Sequence, residues 1–531
     1  MDKATTRMGF FGTGTATDMP REEYGNKAAN LAMMASLGVP VPPGFALGVT
    51  VCEEFHRQGG RLPADVPVLL GKGIQLLENA TGQRFGGRRR PLLVSVRSGA
   101  PVSMPGLMDT VLNVGLNRQT IQAMIFMSGN PRFAWDSYRR LVRTMGETVF
   151  GHDPRPYRAL LTRAMEKEGV PDEVELDSLA LRELASEEEN LFSDLEGRRF
   201  PEDIFEQLGL ATAAVLRSWK GKRAEAFRRM GMIKGVRGTA VTVQAMVFGN
   251  MGPHSGAGVA FTRDPSSGAN ALMVDFKFGA QGEDVVSGDA SSSPVGLQDV
   301  LPDAYSELGR ISHKLEEHFR DMQDIEFTVQ EGKLFILQGR AGKRAPLAAL
   351  RIAVEMVAEG TVSPADGIAM LEGVDTGAIS LRKVVATSSP LAKGEPASTG
   401  VATGDLVLSA ERATVRSRKC PVVLVLETAT PDDLPGLAAS AGVLCARGIR
   451  TSHAAVVARQ LGKVCIVNCP GLEIDLQRKR IRLGDREMGE GAVLTLDGST
   501  GNIYEGTVEV SEERPAKLLA VVEEWQKAQK T

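Results

Sequence analysis

The period of the hydrophobic pattern changes several times along this chain, and each change predicts an element. Residues 26–37 carry Ala28, Leu31, Ala32 and Ala35 at helical spacing, and Gly38 with the extended Val39-Pro-Val-Pro-Pro43 predicts the stop. Residues 92–97 alternate with period two, so Val94 and Val96 fall on one face of a strand and Ser95 and Arg97 on the other. That strand runs into the loop 98–106, whose glycines permit close backbone approach to a ligand. Residues of about 118 to 235 read as charged helices, and 239–248 as a strand leading through a glycine-rich turn to 256–264. Residues 323–340 read as a β-hairpin. Helical spacing returns from 341 to about 381, with Leu347, Leu350, Val354 and Val357 in phase and Pro364 opening a second helix. The Gly-, Pro-, Ser- and Thr-rich 390–404 marks a domain boundary. Beyond it, strands at 404–408, 421–426 and 442–445 alternate with helical pieces, 492–497 closes a small β/α domain, and 516–530 is an amphipathic tail helix. The fold class is therefore α/β and α+β, in several domains.

The hairpin carries chemistry in its pattern. If Gly332 closes a three-residue turn with a glycine bulge, even-numbered residues pair with even-numbered ones. Asp324 and Glu326 then share a face with Gln338 and Arg340, while Ile325, Phe327 and Val329 pack inward. Two carboxylates beside an arginine and an amide suit a Mg²⁺–phosphate seat, since magnesium takes one or two carboxylates plus phosphate oxygens. A salt-bridged exposed face is the competing account, and a two-residue turn would flip the parity and separate the groups. Lys27 falls in a first helical turn, where the dipole prefers an acid, and so makes better sense beside a bound anion; a solvated lysine serves equally. Arg97, ending a strand beside a glycine loop, suits a bidentate grip on phosphate or simply a surface turn. Met246 and Val247 suit a purine, or a core strand.

Composition narrows the class. A chain of 531 residues holds three or so domains, and 43% hydrophobic with 24% charged residues is ordinary for a globular protein. The formal net charge of −3 argues against nucleic-acid and anionic-membrane partners. Residues 1–21 show no apolar signal region, and the longest apolar run, near 421–426, is too short to cross a bilayer. Five cysteines without a C-x-x-C pair fit a reduced, cytoplasmic protein.

Near the C-terminal end, Arg447-Gly-Ile-Arg-Thr-Ser-His453 precedes a run of helix formers, with Thr451 and Ser452 as natural caps. A histidine at a helix N-terminus is poorly placed to be a cation and well placed to carry a phosphoryl group. A packing or capping histidine is the plain alternative.

Nine collinear stretches then point one way. They are Gly25-Asn-Lys-Ala-Ala-Asn-Leu31, Val39-Pro-Val-Pro-Pro-Gly-Phe45, Val94-Ser-Val-Arg-Ser-Gly-Ala100, Ser103-Met-Pro-Gly-Leu-Met-Asp-Thr-Val-Leu-Asn113 and Val243-Gln-Ala-Met-Val-Phe-Gly-Asn250. Gly258-Val-Ala-Phe-Thr-Arg263, Met322-Gln-Asp-Ile-Glu-Phe-Thr328, Thr451-Ser-His-Ala-Ala-Val-Val-Ala-Arg459 and Leu496-Asp-Gly-Ser-Thr-Gly501 complete them. The chain resembles the first two-thirds of a pyruvate, phosphate dikinase, a relative of phosphoenolpyruvate synthase and of enzyme I of the sugar phosphotransferase system. The resemblance implies an ATP-grasp-like nucleotide-binding domain over 1–340 with a helical insert at about 118–235. It further implies a helical linker at 341–385, a swivelling phosphohistidine domain at 386–510 and a C-terminal helix at 511–531. It implies that Lys27, Arg97, Met246, Val247, Glu283, Gln338 and Arg340 contact the nucleotide and its phosphates, and that Asp324 and Glu326 hold Mg²⁺. His453 would attack the β-phosphate of ATP and release AMP; inorganic phosphate would then take the outer phosphoryl group as pyrophosphate. A regulatory role for Thr451 and a homodimer are left open.

Three departures qualify the expectation. After Gly282-Glu-Asp-Val-Val-Ser-Gly288, residues 289–294 leave the family pattern. Ile449 and Arg450 stand where a dikinase has Gly-Met, and a β-branched residue resists a positive φ. No counterpart of the barrel that binds phosphoenolpyruvate and pyruvate is found, so the phosphoryl acceptor is expected on a separate protein. A small-molecule phosphotransferase of the antibiotic-phosphorylating type and a nucleotide-sensing regulatory protein are the alternatives.

Overall fold

Local sequence signals set most element ends in the computed structural model, which describes residues 7–12, 16–101, 109–221, 224–225, 228, 235–286, 296–385 and 389–529; the side chains of Glu283, Val286, Pro431 and His453 lie outside that description. The chain divides into two compact units. One comprises Met1–Ser255 with Thr328–Gly339, the other Gly256–Phe327 with Arg340–Thr531.

In the first unit, strands Met8–Phe11, Gly44–Leu47, Ala240–Ala245, Val94–Gly99 and Thr110–Val114 lie side by side in that order, each neighbouring pair antiparallel. The predicted alternation shows only in part: Val94 and Val96 are fully buried and Arg97 is half-buried, but Ser95, expected beside Arg97, is also buried at 2% exposed. The helix Arg21–Ser36 starts five residues before the predicted one, but Gly25 interrupts it at φ 75° and ψ 162°, so the run from Asn26 is a helical segment of its own. Gly38 ends it at φ 74°. The predicted helical insert is Arg118–Ser128, Pro131–Thr144, Pro154–Glu168, Ser178–Glu196 and Ile204–Ser218. Asn117, Asn130, Asp153, Asp177 and Asp203 precede these helices, and each side chain accepts a first-turn amide. Phe133, Leu141 and Val215 of these helices join Phe45, Val94 and Val243 of the sheet in one core.

In the second unit, an eight-stranded sheet has parallel strands Val401–Val407, Val422–Leu426, Gly442–Cys445 and Val464–Val467 at its centre. Alternate residues divide between two cores, as period two requires. Val422, Leu424, Val443 and Cys465 meet Ala454, Ala455 and Ala458 of the helix His453–Gln460 on one face. Val423, Val425, Leu444 and Ile466 meet Ile481, Leu483 and Met488 of a three-stranded sheet on the other. The tail helix Ala516–Ala528 contributes Val522 to a core with Leu350 and Ala353 of Pro346–Ala358. The five cysteines form no disulfide. Among the described residues, no helix is long and apolar enough to cross a membrane.

Candidate active site

Two groups of predicted residues are positioned by backbone approaches that the sequence hinted at through glycine. In the first unit, a Cβ on Gly25 would lie 1.7 Å from the Gly99 carbonyl oxygen, and Asn26 N–H donates to the Ala100 carbonyl at 3.0 Å. A Cβ on Gly99 would stand 3.7 Å from Lys27 Cβ and 3.5 Å from Thr242 Oγ1. Gly99 lies two residues beyond Arg97 on one strand, and Arg97 pairs with Thr242. Lys27, Arg97 and Thr242 are therefore grouped on one face of the sheet. Thr242 Oγ1 is buried and makes no hydrogen bond. Two cations beside an unpartnered hydroxyl suit an anion. Met246 and Val247 follow the strand that carries Thr242; both are half-buried, and that strand ends at Ala245, three residues short of the predicted end. Half-buried Gln338 sits on Lys333–Ala341, whose Gly339 carbonyl accepts Asn30 Nδ2 at 2.9 Å, one helical turn after Lys27.

The hairpin turn is not the expected one. Glu331 and Gly332 form a two-residue turn with φ of 48° and 78°, the type I′ geometry that matches strand twist. In that phase Gln330 faces Lys333, and Ile336 N–H points outward, donating to the Pro40 carbonyl at 2.9 Å. At the other end Gly342 N–H donates to the Met322 carbonyl at 3.0 Å, one residue out of that phase. The second strand thus carries one extra residue between Ile336 and Gly342, a bulge, and the consecutive burial of Ile336 and Leu337 marks the same change. Beyond the bulge, even residues again face even ones. Arg340 Nε donates to Asp324 Oδ2 at 2.8 Å. The Asp324–Arg340 contact expected from the wrong turn is met through an irregularity the sequence did not announce.

Asp324 is 2% exposed, and its Oδ1 is buried without a partner. Burial pushes its carboxyl above the usual range, against Arg340, while Glu326 pushes it further up. A buried carboxylate oxygen that lacks a donor is an acceptor awaiting a cation, and half-buried Glu326 lies two residues along the same strand face. Two carboxylates fit a Mg²⁺ that completes its shell with phosphate and water. No cluster of three metal-ligating side chains occurs among the described residues.

The same face extends across the sheet. Thr262 N–H donates to the Gln323 carbonyl at 3.0 Å, and a Cβ on Gly258 would stand 2.6 Å from the Phe327 ring, so Phe261 lies opposite Asp324. Phe261 faces Met273, and Val259 faces Asp275. Onto this face packs the turn before His453: Ile449, 2% exposed, joins Ala257, Val259 and Phe261 in one cluster. Gly448, not Ile449, takes the positive φ there, at 121°, so the β-branched substitution meets no strain. Arg450 Nη2 lies 3.5 Å from Asp275 Oδ1. Arg459 places its guanidinium 5.3 Å from the Phe261 ring centroid, and its Nη1 donates to the carbonyls of Ala397 and Arg450, each at 2.8 Å. Burial lowers its pKa to about 10, opposed by Cys465, Asp324, Asp275 and Asp264.

His453 opens the helix His453–Gln460, as expected, but the predicted caps do not act as caps: Ser452 holds the N-cap geometry while its hydroxyl makes no capping bond. Ser452 thereby leaves the first-turn amides without a capping acceptor from its own side chain, a condition that suits a helix N-terminus to an anion. The imidazole of His453, the side chain of Glu283 and residues 102–108 and 289–294 lie outside the described residues. Thr451 is 7% exposed, and burial pushes the neighbouring Asp275 carboxyl above the usual range, opposed first by the Arg450 guanidinium. Sequence reasoning missed Thr242, Asp275 and Arg459. Arg459 closes a quoted motif and Asp275 is the one carboxylate in the strand Met273–Phe278, so each left a mark. Arg263, also within a quoted motif, is structural: it is 2% exposed and holds Glu316 and Glu359 at 3.0 and 2.5 Å.

Two family models and several curated proteins match this chain. Residues 58–299 and 294–361 match the family described as "Pyruvate phosphate dikinase, AMP/ATP-binding domain", and 419–501 match "PEP-utilising enzyme, mobile domain". Pyruvate, phosphate dikinase of Clostridium symbiosum is 41% identical over 504 residues, covering 93% of this chain and 57% of that protein. Pyruvate, phosphate dikinase 2 of Zea mays is 42% identical over 512 residues, covering 95% and 58%. Pyruvate, phosphate dikinase of Entamoeba histolytica is 40% identical over 513 residues, covering 95% and 58%. The chain spans somewhat more than half the length of these curated relatives.

Proposed function

This chain belongs to the pyruvate, phosphate dikinase family, and from that premise we propose that it is an ATP-dependent phosphotransferase in which His453 is phosphorylated from Mg-ATP. The observation that carries the reading is the Asp324–Arg340 pair, with its unpartnered carboxylate oxygen, on the sheet face against which the turn before His453 packs. Lys27 and Arg97 grip the phosphates, with Gln338 and Glu283 as further polar contacts, and Met246 and Val247 receive the base. Asp324 and Glu326 hold Mg²⁺, and Arg340 both fixes Asp324 and faces the transferred group. Bound Mg²⁺ supplies charge neutralisation to the triphosphate. In this reading the domains are an ATP-grasp-like one over 1–340, a linker over 341–385, a swivelling phosphohistidine domain over 386–510 and a helix over 511–531.

Neutral His453 attacks the β-phosphorus, and the bond to the α,β-bridging oxygen breaks with its electron pair leaving on AMP. Inorganic phosphate then attacks the outer phosphorus, releasing pyrophosphate and leaving phosphohistidine. The transition state is loose, so alignment and cations perform most of the catalysis. Thr451, buried beside Asp275, is the regulatory position: a phosphate there sets negative charge against a buried carboxylate. The charged histidine then delivers its phosphoryl group to a phosphoenolpyruvate- or pyruvate-binding protein.

Incubation with Mg-ATP and phosphate is expected to yield AMP and an acid-labile phosphoprotein, both abolished by His453→Ala. AMP formation that survives in the variant would overturn the assignment, and nucleotide binding without any labelling would favour a sensor. Discharge of the labelled protein onto pyruvate without any added protein would remove the separate acceptor from the proposal.

A further inference from the structure

The contact between Arg450 and Asp275 is the feature that the assigned chemistry does not use. Asp275 is 3% exposed in the strand Met273–Phe278, and its Oδ2 is buried without a partner. The cation beside its other oxygen is Arg450, 175 residues later in the chain. The two arginines around this turn differ in kind. Arg459 is fully enclosed, and two carbonyls hold it in place. Arg450 keeps 37% of its side chain exposed and reaches Asp275 at the long distance of 3.5 Å. Next to it, Ile449 is sunk among Val259 and Phe261. A second line of contact runs parallel: Ser266 Oγ donates to the Ala397 carbonyl at 2.9 Å, and Thr399 Oγ1 to the Ser266 carbonyl at 3.1 Å. The turn into His453 is thus seated by one apolar residue, one half-exposed ion pair and a few backbone bonds.

We propose that Arg450 and Asp275 form a charged latch, with Ile449 as its apolar peg, that seats the turn leading into His453 on the sheet face bearing Asp324 and Glu326, making Arg450 a positioning residue for phosphorylation of His453. The inference rests on the function proposed above. Removing Arg450 leaves a buried carboxylate unpaired, and that penalty falls on the seated arrangement alone, because an unseated Asp275 meets water. A half-exposed guanidinium also exchanges its carboxylate for water more readily than an enclosed one, so this contact can open where Arg459 stays fixed.

The test uses the full chain with Arg450→Met, Arg450→Lys, Asp275→Asn and the double variant Arg450→Met/Asp275→Asn. Three quantities are read: the single-turnover rate of acid-labile labelling at saturating Mg-ATP, the affinity for Mg-ATP, and hydrogen exchange of amides 449–460 without nucleotide. Arg450→Met is expected to slow labelling about tenfold with nucleotide affinity unchanged, and the double variant to be no slower than either single one, as coupled neighbours require. Arg450→Lys should recover part of the rate, and exchange should quicken in Arg450→Met and in Asp275→Asn. Additive losses, unchanged exchange, or affinity falling in step with rate would overturn the latch. Faster exchange in variants of a wild type that never takes label supports the contact and overturns the phosphotransfer reading instead.

Discussion

Glu188 and Asp136 are both buried carboxyls of the helical insert near Arg139, and their surroundings drive them in opposite directions. Asp136 accepts Arg139 at 2.8 Å and Arg140 at 3.1 Å; although burial pushes it up, these arginines hold it well below the usual range. Glu188 is fully buried, neither of its oxygens has a hydrogen-bond partner, and burial raises its pKa from 4.5 to about 7 despite Arg139 and Arg143. The folded state therefore binds a proton at Glu188 that the unfolded state has lost between pH 4.5 and about 7. Stability falls across that window as pH rises, by on the order of 3 kcal/mol for a shift of this size. Glu188→Gln keeps the shape and removes the titration, so its thermal midpoint should gain on the wild type from pH 5 to pH 8. Parallel midpoints at both pH values would show that Glu188 does not stay protonated in the folded chain. In Asp136, the matching change to Asn leaves buried arginine charge unpaired and should cost about 3–5 kcal/mol in denaturant titration; a loss below 1 kcal/mol would show that Glu173 alone satisfies both arginines.

At the scale of elements, glycine decides where chain segments can meet. Gly25 holds φ 75° where a Cβ would collide with the Gly99 carbonyl. Gly25→Ala forces both a left-handed residue and a displaced strand end, a strain of at least about 1–3 kcal/mol before the clash is counted. It is expected to lower the thermal midpoint and to weaken Mg-ATP binding, because Lys27 moves away from the face of Arg97. Unchanged nucleotide affinity would sink the idea that this approach positions Lys27. The hairpin shows the limit of the same reasoning. Its strands, its turn glycine and its charged face were legible in residues 323–340. The turn length was not, because Glu331-Gly332 serves a two-residue turn as readily as a longer one. The compensating bulge left no sequence mark at all, since Leu337 fits either face. Caps behaved similarly: the five Asn and Asp caps of the insert act as their type suggests, whereas the Ser452 hydroxyl is enclosed and does not.

At the scale of the molecule, each compact unit has an apolar core of its own, one centred on the five-stranded sheet and the other on the eight-stranded sheet and its neighbours. Chains built this way depart from two-state unfolding. Calorimetry should show a measured unfolding enthalpy larger than the van't Hoff value; equality of the two would mean that the units melt as one. Much of the candidate site could be read before any fold was known, because charge type and motif order are properties of residues: Lys27, Arg97, Asp324, Arg340 and His453 were singled out from their immediate neighbours. The rest depends on what lies opposite. Periodicity, glycine positions and capping residues act over a few bonds through sterics and local hydrogen bonding, so the sequence by itself determined the elements and their chemistry. That Asp275 is buried rather than solvated, that Arg459 lies over Phe261, and that Arg340 meets Asp324 through a bulge are decided by contacts between residues far apart in the chain. Only the tertiary structure could settle them, since desolvation and pairing of a charge depend on which distant surface excludes its water.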